Sequence, residues 1–136
     1  MLVERAMTAQ PIVAFPKTTI RDVLRLLLEA DVRHLPIVEG TVLVGIVSSH
    51  DLRALLPGGL GDFSHPHEIQ RALEQPVSTI MNTEPISVAA KAELKQAVDL
   101  MVEHKVGALP VVEPMSKKLV GILSYVDALR VVRAFL

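Results

Sequence analysis

The chain contains the same sequence pattern twice. Residues 3–39 match residues 77–113 at a constant offset of 74, with 12 of 37 positions identical, where chance would give roughly 3. After a two-residue insertion, residues 43–51 match residues 119–127 at six of nine positions. A repeat of this length indicates that one structural unit of about 50 residues has been duplicated, so the fold must be built from two copies of that unit.

Each repeat predicts the order strand, helix, strand, strand, helix. A short extended segment follows a proline at 12–14 and at 86–88. Two pairs of β-branched runs predict two hairpins, because polar and turn residues join the members of each pair. The pairs are 35–38 with 42–47 and 109–112 with 119–123. A closing helix begins near Asp51 and near Asp127. The fold class is therefore α+β.

Between the extended segment and the hairpin, each repeat has an amphipathic helix with one apolar stripe. Thr18 or Thr19 can cap the first helix, with Asp22 in its first turn, whereas the residues before the second helix include no hydroxyl. The second helix is expected to start less firmly. The stripes consist of Ile20, Val23, Leu24, Leu27 and Leu28, and of Leu94, Ala97, Val98, Met101 and Val102.

The repeats divide the chain into a first unit at 1–56 and a second unit at 77–136. A linker at 57–76 lies between them, rich in glycine and proline at first, with a short helix at about 67–75 that Pro76 ends. A unit of this size buries little apolar surface alone. The two units are therefore expected to pack sheet against sheet as one pseudo-two-fold module.

Composition excludes several classes of partner. The 14 Lys and Arg against 15 Asp and Glu give a formal charge of −1, so the chain has no basic excess for nucleic acid or an anionic membrane. The longest stretches without a charged residue are 11 residues, against the roughly 20 that a membrane-spanning helix needs. With no cysteine and no signal-peptide pattern at the start, we expect a cytoplasmic protein.

No catalytic motif is visible. The sequence has no nucleophile elbow, no Walker-type loop and no dinucleotide-binding glycine run, and it lacks the cysteines of a thiolate metal site. The pair His65 and His67 has no third ligand at a recognisable spacing, so solvated loop histidines are favoured over a metal-dependent hydrolase. His104 is expected to be a solvated residue at a helix end. The chain is therefore expected to be no enzyme and to require no metal or cofactor.

A Ser-x-x-Asp segment recurs at the start of both closing helices, as Ser48 with Asp51 and as Ser124 with Asp127. One interpretation is a capping box, in which the serine caps the helix and the acid completes its first turn. The other is ligand binding: a helix N-terminus attracts phosphate, and a carboxylate can accept two hydrogen bonds from a ribose diol. The residues alone leave both interpretations open.

Taken together, these motifs resemble those of the CBS (cystathionine-β-synthase) domains, as a stand-alone tandem pair. The resemblance rests on order and duplication and covers nearly everything outside residues 54–76. Its motifs are Met7-Thr-Ala-Gln-Pro11 and Met81-Asn-Thr-Glu-Pro85 at the starts, Leu35-Pro-Ile-Val38 and Leu109-Pro-Val-Val112 in the middle, and Gly45 to Asp51 and Gly121 to Asp127 at the ends.

The resemblance implies two β-α-β-β-α units that bind an adenosine-containing ligand (AMP, ADP, ATP or S-adenosylmethionine) in the clefts between the repeats. Ser48, Asp51, Ser124 and Asp127 would then contact phosphate or ribose. Backbone groups and apolar side chains near the first proline and the Leu-Pro pair would frame the adenine, although each could equally be plain sheet core. These residues are Ile12, Ala14, His34, Leu35 and Pro36, and Ile86, Val88, Ala108, Leu109 and Pro110.

The two motifs have different surroundings. Arg33, His34, His50 and Arg53 lie near the first, whereas Gly107, Ala108, Tyr125 and Val126 are at or near the equivalent places of the second. Cationic donors favour phosphate. We therefore expect unequal affinities, with the basic groups lining the tighter nucleotide site.

The function expected from the sequence is a regulatory module, as in energy sensing, that responds to an adenosine-containing ligand and acts on an unidentified protein. The alternative is an interaction module that binds no ligand. Exposed apolar helix faces also predict a homodimer, because such faces usually seek a partner. They are formed by Leu52, Leu55, Leu56, Leu129, Val132 and Phe135.

Overall fold

The computed structural model describes residues 1–55 and 66–136. Most of the glycine-rich linker, with Leu56 and His65, lies outside the described residues. The helices are α1 (Val3–Ala6), α2 (Ile20–Ala30), α3 (Ser49–Leu55), α4 (Pro66–Glu74), α5 (Leu94–His104) and α6 (Tyr125–Arg133). The strands are β1 (Thr8–Ala9), β2 (His34–Glu39), β3 (Val42–Ser48), β4 (Val88–Ala89), β5 (Ala108–Val112) and β6 (Leu119–Ser124).

Each repeat has the predicted helix, hairpin and closing helix, and the architecture is mixed α+β. Helix α4 is the short helix expected in the linker, and a single 3₁₀ turn at Val77–Thr79 follows Pro76. The extended segments are shorter than expected, since only Ala14 bridges a strand in the first repeat and β4 is two residues long. No helix among the described residues is long and apolar enough to cross a membrane.

The chain divides into two compact units that do not coincide with the sequence repeats. The Asp51 unit consists of Ile12–Glu39 and Val44–Thr83, and the Asp127 unit consists of Met1–Pro11, Gly40–Leu43 and Glu84–Leu136. The residues that precede the first proline of one repeat are thus in the same compact unit as the hairpin of the other repeat. We name the units after the aspartates in their motifs.

The Asp127 unit contains a four-stranded sheet in the order β1-β6-β5-β4. Strand β1 pairs antiparallel with β6 through Thr8 and Ile122, although the two come from different repeats. The sheet and α5 enclose a core to which α1 contributes Val3, fully buried. The Val3 amide donates a hydrogen bond to the Ala92 carbonyl oxygen (2.8 Å), which fixes the first helix to this unit.

The Asp51 unit repeats this arrangement with fewer paired residues. The hairpin β2-β3 forms its centre, Ala14 bridges Ile37 in parallel, and Asn82 bridges Ile46 antiparallel. Thr19 caps α2 by accepting a hydrogen bond from the Asp22 amide (3.2 Å), as the sequence predicted, whereas the residue that precedes α5, Glu93, provides no side-chain cap.

Two sequence expectations about burial are wrong. The last residue of each helical stripe is exposed, Leu28 by 74% and Val102 by 69%, while Val23 and Ala97 are fully buried. Leu52, expected on an exposed face, is 1% exposed and packs into the core of the Asp51 unit. Leu129, Val132 and Phe135, expected on the same kind of face, are exposed.

Candidate functional site

The motif of the Asp51 unit lies at the junction of β3 and α3. The Asp51 amide donates to Ser48 Oγ (3.1 Å), and the Ser48 amide donates to Asp51 Oδ2 (2.9 Å). This reciprocal pair confirms the capping interpretation. It does not exhaust the carboxylate, which has about four acceptor positions. Among the described residues Asp51 Oδ1 accepts no hydrogen bond, and the side chain is exposed.

The start of β2 is tied to the start of α3. The Ser49 amide donates to the carbonyl oxygen of Arg33 (2.9 Å), which holds the Arg33-His34 segment beside the motif. Burial lowers the pKa of His34 below its ordinary value; the Asp51 charge opposes this shift and Arg33 adds to it. A neutral imidazole offers one donor and one acceptor. Arg33 and His50 are exposed.

The remaining candidates of this unit belong mainly to its sheet. The side chains of Ala14, Leu35 and Pro36 are buried, and the Ala14 amide donates to the Pro36 carbonyl oxygen (3.1 Å). Ala14 thus uses its amide hydrogen in the sheet, so its N–H is not available to an adenine ring. Ile12 differs from these three because its side chain is 48% exposed.

The motif of the Asp127 unit forms the same capping box in a different environment. Ser124 caps α6, and its amide and hydroxyl contact Asp127 Oδ2 at 2.9 and 3.1 Å. The other oxygen, Oδ1, is contacted by Thr8 Oγ1 and by Arg130 Nη1, each at 3.5 Å. Asp127 is only 7% exposed. Both of its carboxylate oxygens therefore have partners within the unit.

The other candidates of the Asp127 unit are largely core. Val88, Ala108, Leu109 and Pro110 are buried, and Ile86 is partly exposed and packs against the core cluster that contains Val88 and Leu109. The Tyr125 amide donates to the Gly107 carbonyl oxygen (2.9 Å), which repeats the Ser49–Arg33 hydrogen bond.

The sixteen predicted residues thus fall into two sets, one per unit. Ile12, Ala14, Arg33, His34, Leu35, Pro36, Ser48, His50 and Asp51 are in the Asp51 unit, and Ile86, Val88, Ala108, Leu109, Pro110, Ser124 and Asp127 are in the Asp127 unit. Sequence reasoning missed Thr8 and Arg130. Arg130 could have been found, because it lies one helical turn after Asp127.

The histidines give no sign of a metal centre in the part of the chain that the structure describes. His67 is exposed on α4, and no three His, Asp or Glu side chains of residues 1–55 and 66–136 are grouped as ligands. The other half of the histidine pair, His65, lies outside those residues.

Comparison with known families gives two matches that follow the repeats. The model of the CBS domain matches residues 3–58 and again residues 77–134. The chain belongs to the CBS domain family. The resemblance inferred from the motifs is thereby confirmed, and the chain is a tandem pair of CBS domains.

Relatives of this CBS pair come from bacteria, archaea and plants. The CBS domain-containing protein YhcV of Bacillus subtilis is 32% identical over 127 residues, which are 92% of this chain and 81% of YhcV. The uncharacterized protein MJ1225 of Methanocaldococcus jannaschii is 30% identical over 95% of this chain, which spans only 46% of that protein. The crystal structure of CBSX2 of Arabidopsis thaliana in complex with AMP is 33% identical, with a TM-score of 0.82, and the match covers 98% of this chain and 97% of CBSX2.

Proposed function

We propose that this CBS pair is a non-enzymatic regulatory module that binds an adenosine-containing ligand. The observation that carries the proposal is the exposed Asp51 carboxylate, which the capping box holds in a fixed orientation while Oδ1 accepts no hydrogen bond from residues 1–55 and 66–136. A positioned carboxylate of this kind suits a ribose diol, whose two hydroxyls donate to one acidic side chain.

The surroundings of Asp51 support a nucleoside over a simpler sugar. His34, whose pKa the Asp51 charge affects, provides a donor and an acceptor on a half-buried ring, and Ile12 of the same unit has an exposed apolar side chain to offer a base. A small number of polar groups beside apolar surface is typical of small-molecule sites. The AMP complex of CBSX2 supports the same ligand class, because that protein is 33% identical to this chain over nearly its full length.

The same module is proposed to self-associate. Helix α6 and the residues after it expose several large apolar side chains, and exposed apolar surface of this kind is a candidate interface. These residues include Val126, Leu129, Val132 and Phe135. This surface is also the observation that favours the second candidate function, a dimerisation or docking module that binds no ligand.

Titration calorimetry with AMP, ADP, ATP and S-adenosylmethionine tests the ligand proposal. We expect at least one of them to bind, and we expect Asp51→Asn to weaken binding about 10- to 150-fold, the equivalent of a lost charge-assisted hydrogen bond. Asn remains a good helix cap, so the fold should be kept. Asp31→Asn is the matched control, since it removes one exposed carboxylate at the C-terminal end of α2, outside the motif.

If none of the four ligands binds the wild-type chain at millimolar concentration, the ligand-binding function is excluded, and the ligand-free dimerisation or docking module is favoured. Equal weakening by Asp31→Asn would show that net charge, and not the position of Asp51, controls affinity.

A further inference from the structure

The first eleven residues of the chain are anchored on the second repeat. This segment, Met1–Pro11, which we call the N-terminal arm, belongs to the Asp127 unit, and the chain then enters the Asp51 unit at Ile12. Strand β1 of the arm pairs with β6, and Val3 of the arm lies in the core of the Asp127 unit. The arm therefore precedes the first repeat in sequence and depends on the second repeat for its contacts.

The start of the arm docks on the residues that lead into α5. Leu2 and Glu93 form an antiparallel bridge. Two backbone hydrogen bonds of 2.8 Å flank this bridge, one from the Val3 amide to the Ala92 carbonyl oxygen and one from the Leu94 amide to the Met1 carbonyl oxygen. These contacts, like the pairing of β1 with β6, would be the same if the arm came from a second copy of the chain.

The hinge that joins the arm to the Asp51 unit is strained at Gln10. The φ angle of Gln10 is 48°, in the left-handed region that is unfavourable for a residue with a Cβ atom. Pro11 follows, and a residue before a proline prefers an extended conformation. The equivalent residue of the second repeat, Glu84, also precedes a proline but is not among the described residues with a positive φ. The strain therefore belongs to the hinge of the arm and not to the repeat as such.

We propose that the N-terminal arm exchanges between two copies of this chain. In the exchanged dimer, each arm docks on the Asp127 unit of the second copy and keeps the contacts that it makes in the closed chain. Gln10 then takes the extended conformation that Pro11 favours. Exchange of an identical element is a low-cost route to a dimer, and a short strained hinge promotes it. This association needs no ligand and uses a different surface from α6.

Protein concentration decides between closure and exchange. The effective concentration of a segment on a short linker is of the order of millimolar, and strain in the closed hinge lowers it. A chain that has already folded with its arm in place has to release the arm first. We therefore expect exchanged dimers when the chain refolds at about 1 mM and closed chains when it refolds at about 1 µM.

A disulfide between the arm and its docking site distinguishes the two forms. The flanking hydrogen bonds make Leu2 and Glu93 a non-hydrogen-bonded pair, for which the Cα atoms are about 4.5 Å apart. A disulfide spans this distance. The chain has no cysteine, so Leu2→Cys with Glu93→Cys introduces the only pair of thiols.

After refolding and oxidation, this disulfide lies within one chain in the closed form and joins two chains in the exchanged dimer. A denaturing gel without reductant measures the fraction of linked chains. We expect this fraction to be at least about 10-fold higher after refolding at 1 mM than at 1 µM. Chains that associate only through α6 keep their own arms and give no linked product. Leu2→Cys alone measures random cross-linking.

Hinge variants of the double-cysteine chain should shift the linked fraction in opposite directions. Gln10→Gly removes the strain of the closed hinge, so we expect it to lower the fraction at least about fivefold. Gln10→Pro should make the linked dimer the main product at 1 mM, because proline holds φ at about −65° and excludes the closed hinge. The matched control is Lys105→Gly, which relieves a φ of 56° at the end of α5, outside the hinge, and should leave the fraction unchanged.

The exchange would be overturned by a disulfide that stays within one chain at both concentrations and in Gln10→Pro. Equal linked fractions in Gln10→Gly and Lys105→Gly would overturn it as well, because strain at the hinge would then have no part. If Gln10→Pro does not fold, the concentration dependence and Gln10→Gly still decide. None of these results depends on whether an adenosine-containing ligand binds.

Discussion

Met7 lies directly over Gly121. A Cβ atom added to Gly121 would be 2.5 Å from Met7 Sδ and 2.9 Å from the carbonyl oxygen of Thr8. The thioether could move, but the Thr8 carbonyl belongs to β1, whose register with β6 is fixed by the pairing of Ala9 with Gly121. Only glycine therefore allows the edge strand to approach β6 this closely.

Gly121→Ala is accordingly expected to lower the free energy of unfolding by about 1 to 3 kcal/mol, the usual cost of forcing a methyl group into a packed position. Denaturant titration provides the measurement. Met7→Ala combined with Gly121→Ala should restore only part of the loss, because the Thr8 oxygen remains in place. An unchanged denaturation midpoint in Gly121→Ala would contradict the close approach.

The two repeats offer a matched test of helix capping. Thr19→Ala removes the hydroxyl that accepts from the Asp22 amide, and we expect it to destabilise the protein by about 1 kcal/mol. The equivalent change in the opposite direction is Glu93→Thr, which adds a hydroxyl where α5 has no side-chain cap and should stabilise by a few tenths to about 1 kcal/mol. Chemical denaturation of both variants checks the direction of each change in the free energy of unfolding. A Glu93→Thr variant less stable than the wild type would contradict the stabilising effect expected of an added cap.

Acidification should destabilise the fold through His34. Its pKa in the folded chain lies below the ordinary value of 6.5, mainly because of burial. Between the folded pKa and 6.5, the unfolded chain binds more protons, so the free energy of unfolding falls as the pH drops through this window. His34→Ala should flatten the slope just below pH 6.5.

The control for this experiment is His67→Ala, which removes an exposed imidazole on α4. Thermal denaturation across the same pH range compares the three chains. A slope in His34→Ala equal to that of wild type would show that other groups cause the acid sensitivity.

Self-association should depend on α6. We expect sedimentation to show a dimer at tens of micromolar protein, and Leu129→Glu, at a position 58% exposed, to shift the chain to monomer. Leu28→Glu is the control, since Leu28 is more exposed and lies on α2 of the other unit. A monomeric wild type, or dimers that persist in Leu129→Glu, would exclude this face as the interface.

Periodicity predicted the buried face of each helix except at its end. Leu28 lies eight residues after Ile20, and eight steps of about 100° place it about 80° from that side chain, beyond the stripe that faces the core. Val102 has the same relation to Leu94 and is exposed for the same reason. A spacing rule that gives all five stripe positions equal weight cannot show that the last position turns away from the core.

Local hydrogen bonds were predictable and distant ones were not. The pairs Ser48–Asp51 and Ser124–Asp127 are three residues apart, so the sequence motif contains the whole interaction. The Thr8–Asp127 contact joins different repeats, and nothing in the pattern of either repeat shows that β1 pairs outside its own. The different surroundings of the two aspartates were expected from their neighbours, whereas the burial of Asp127 was not.

The pairing of Thr8 with Ile122 also bears on the order in which the chain can fold during synthesis. The two residues are 114 positions apart, so β1 leaves the ribosome long before its partner strand β6 has been made. Contacts of such high sequence separation close late and slow the folding reaction. A nascent chain arrested before residue 119 would therefore present Met7, Thr8 and Ala9 as an unpaired segment, available to chaperones or proteases.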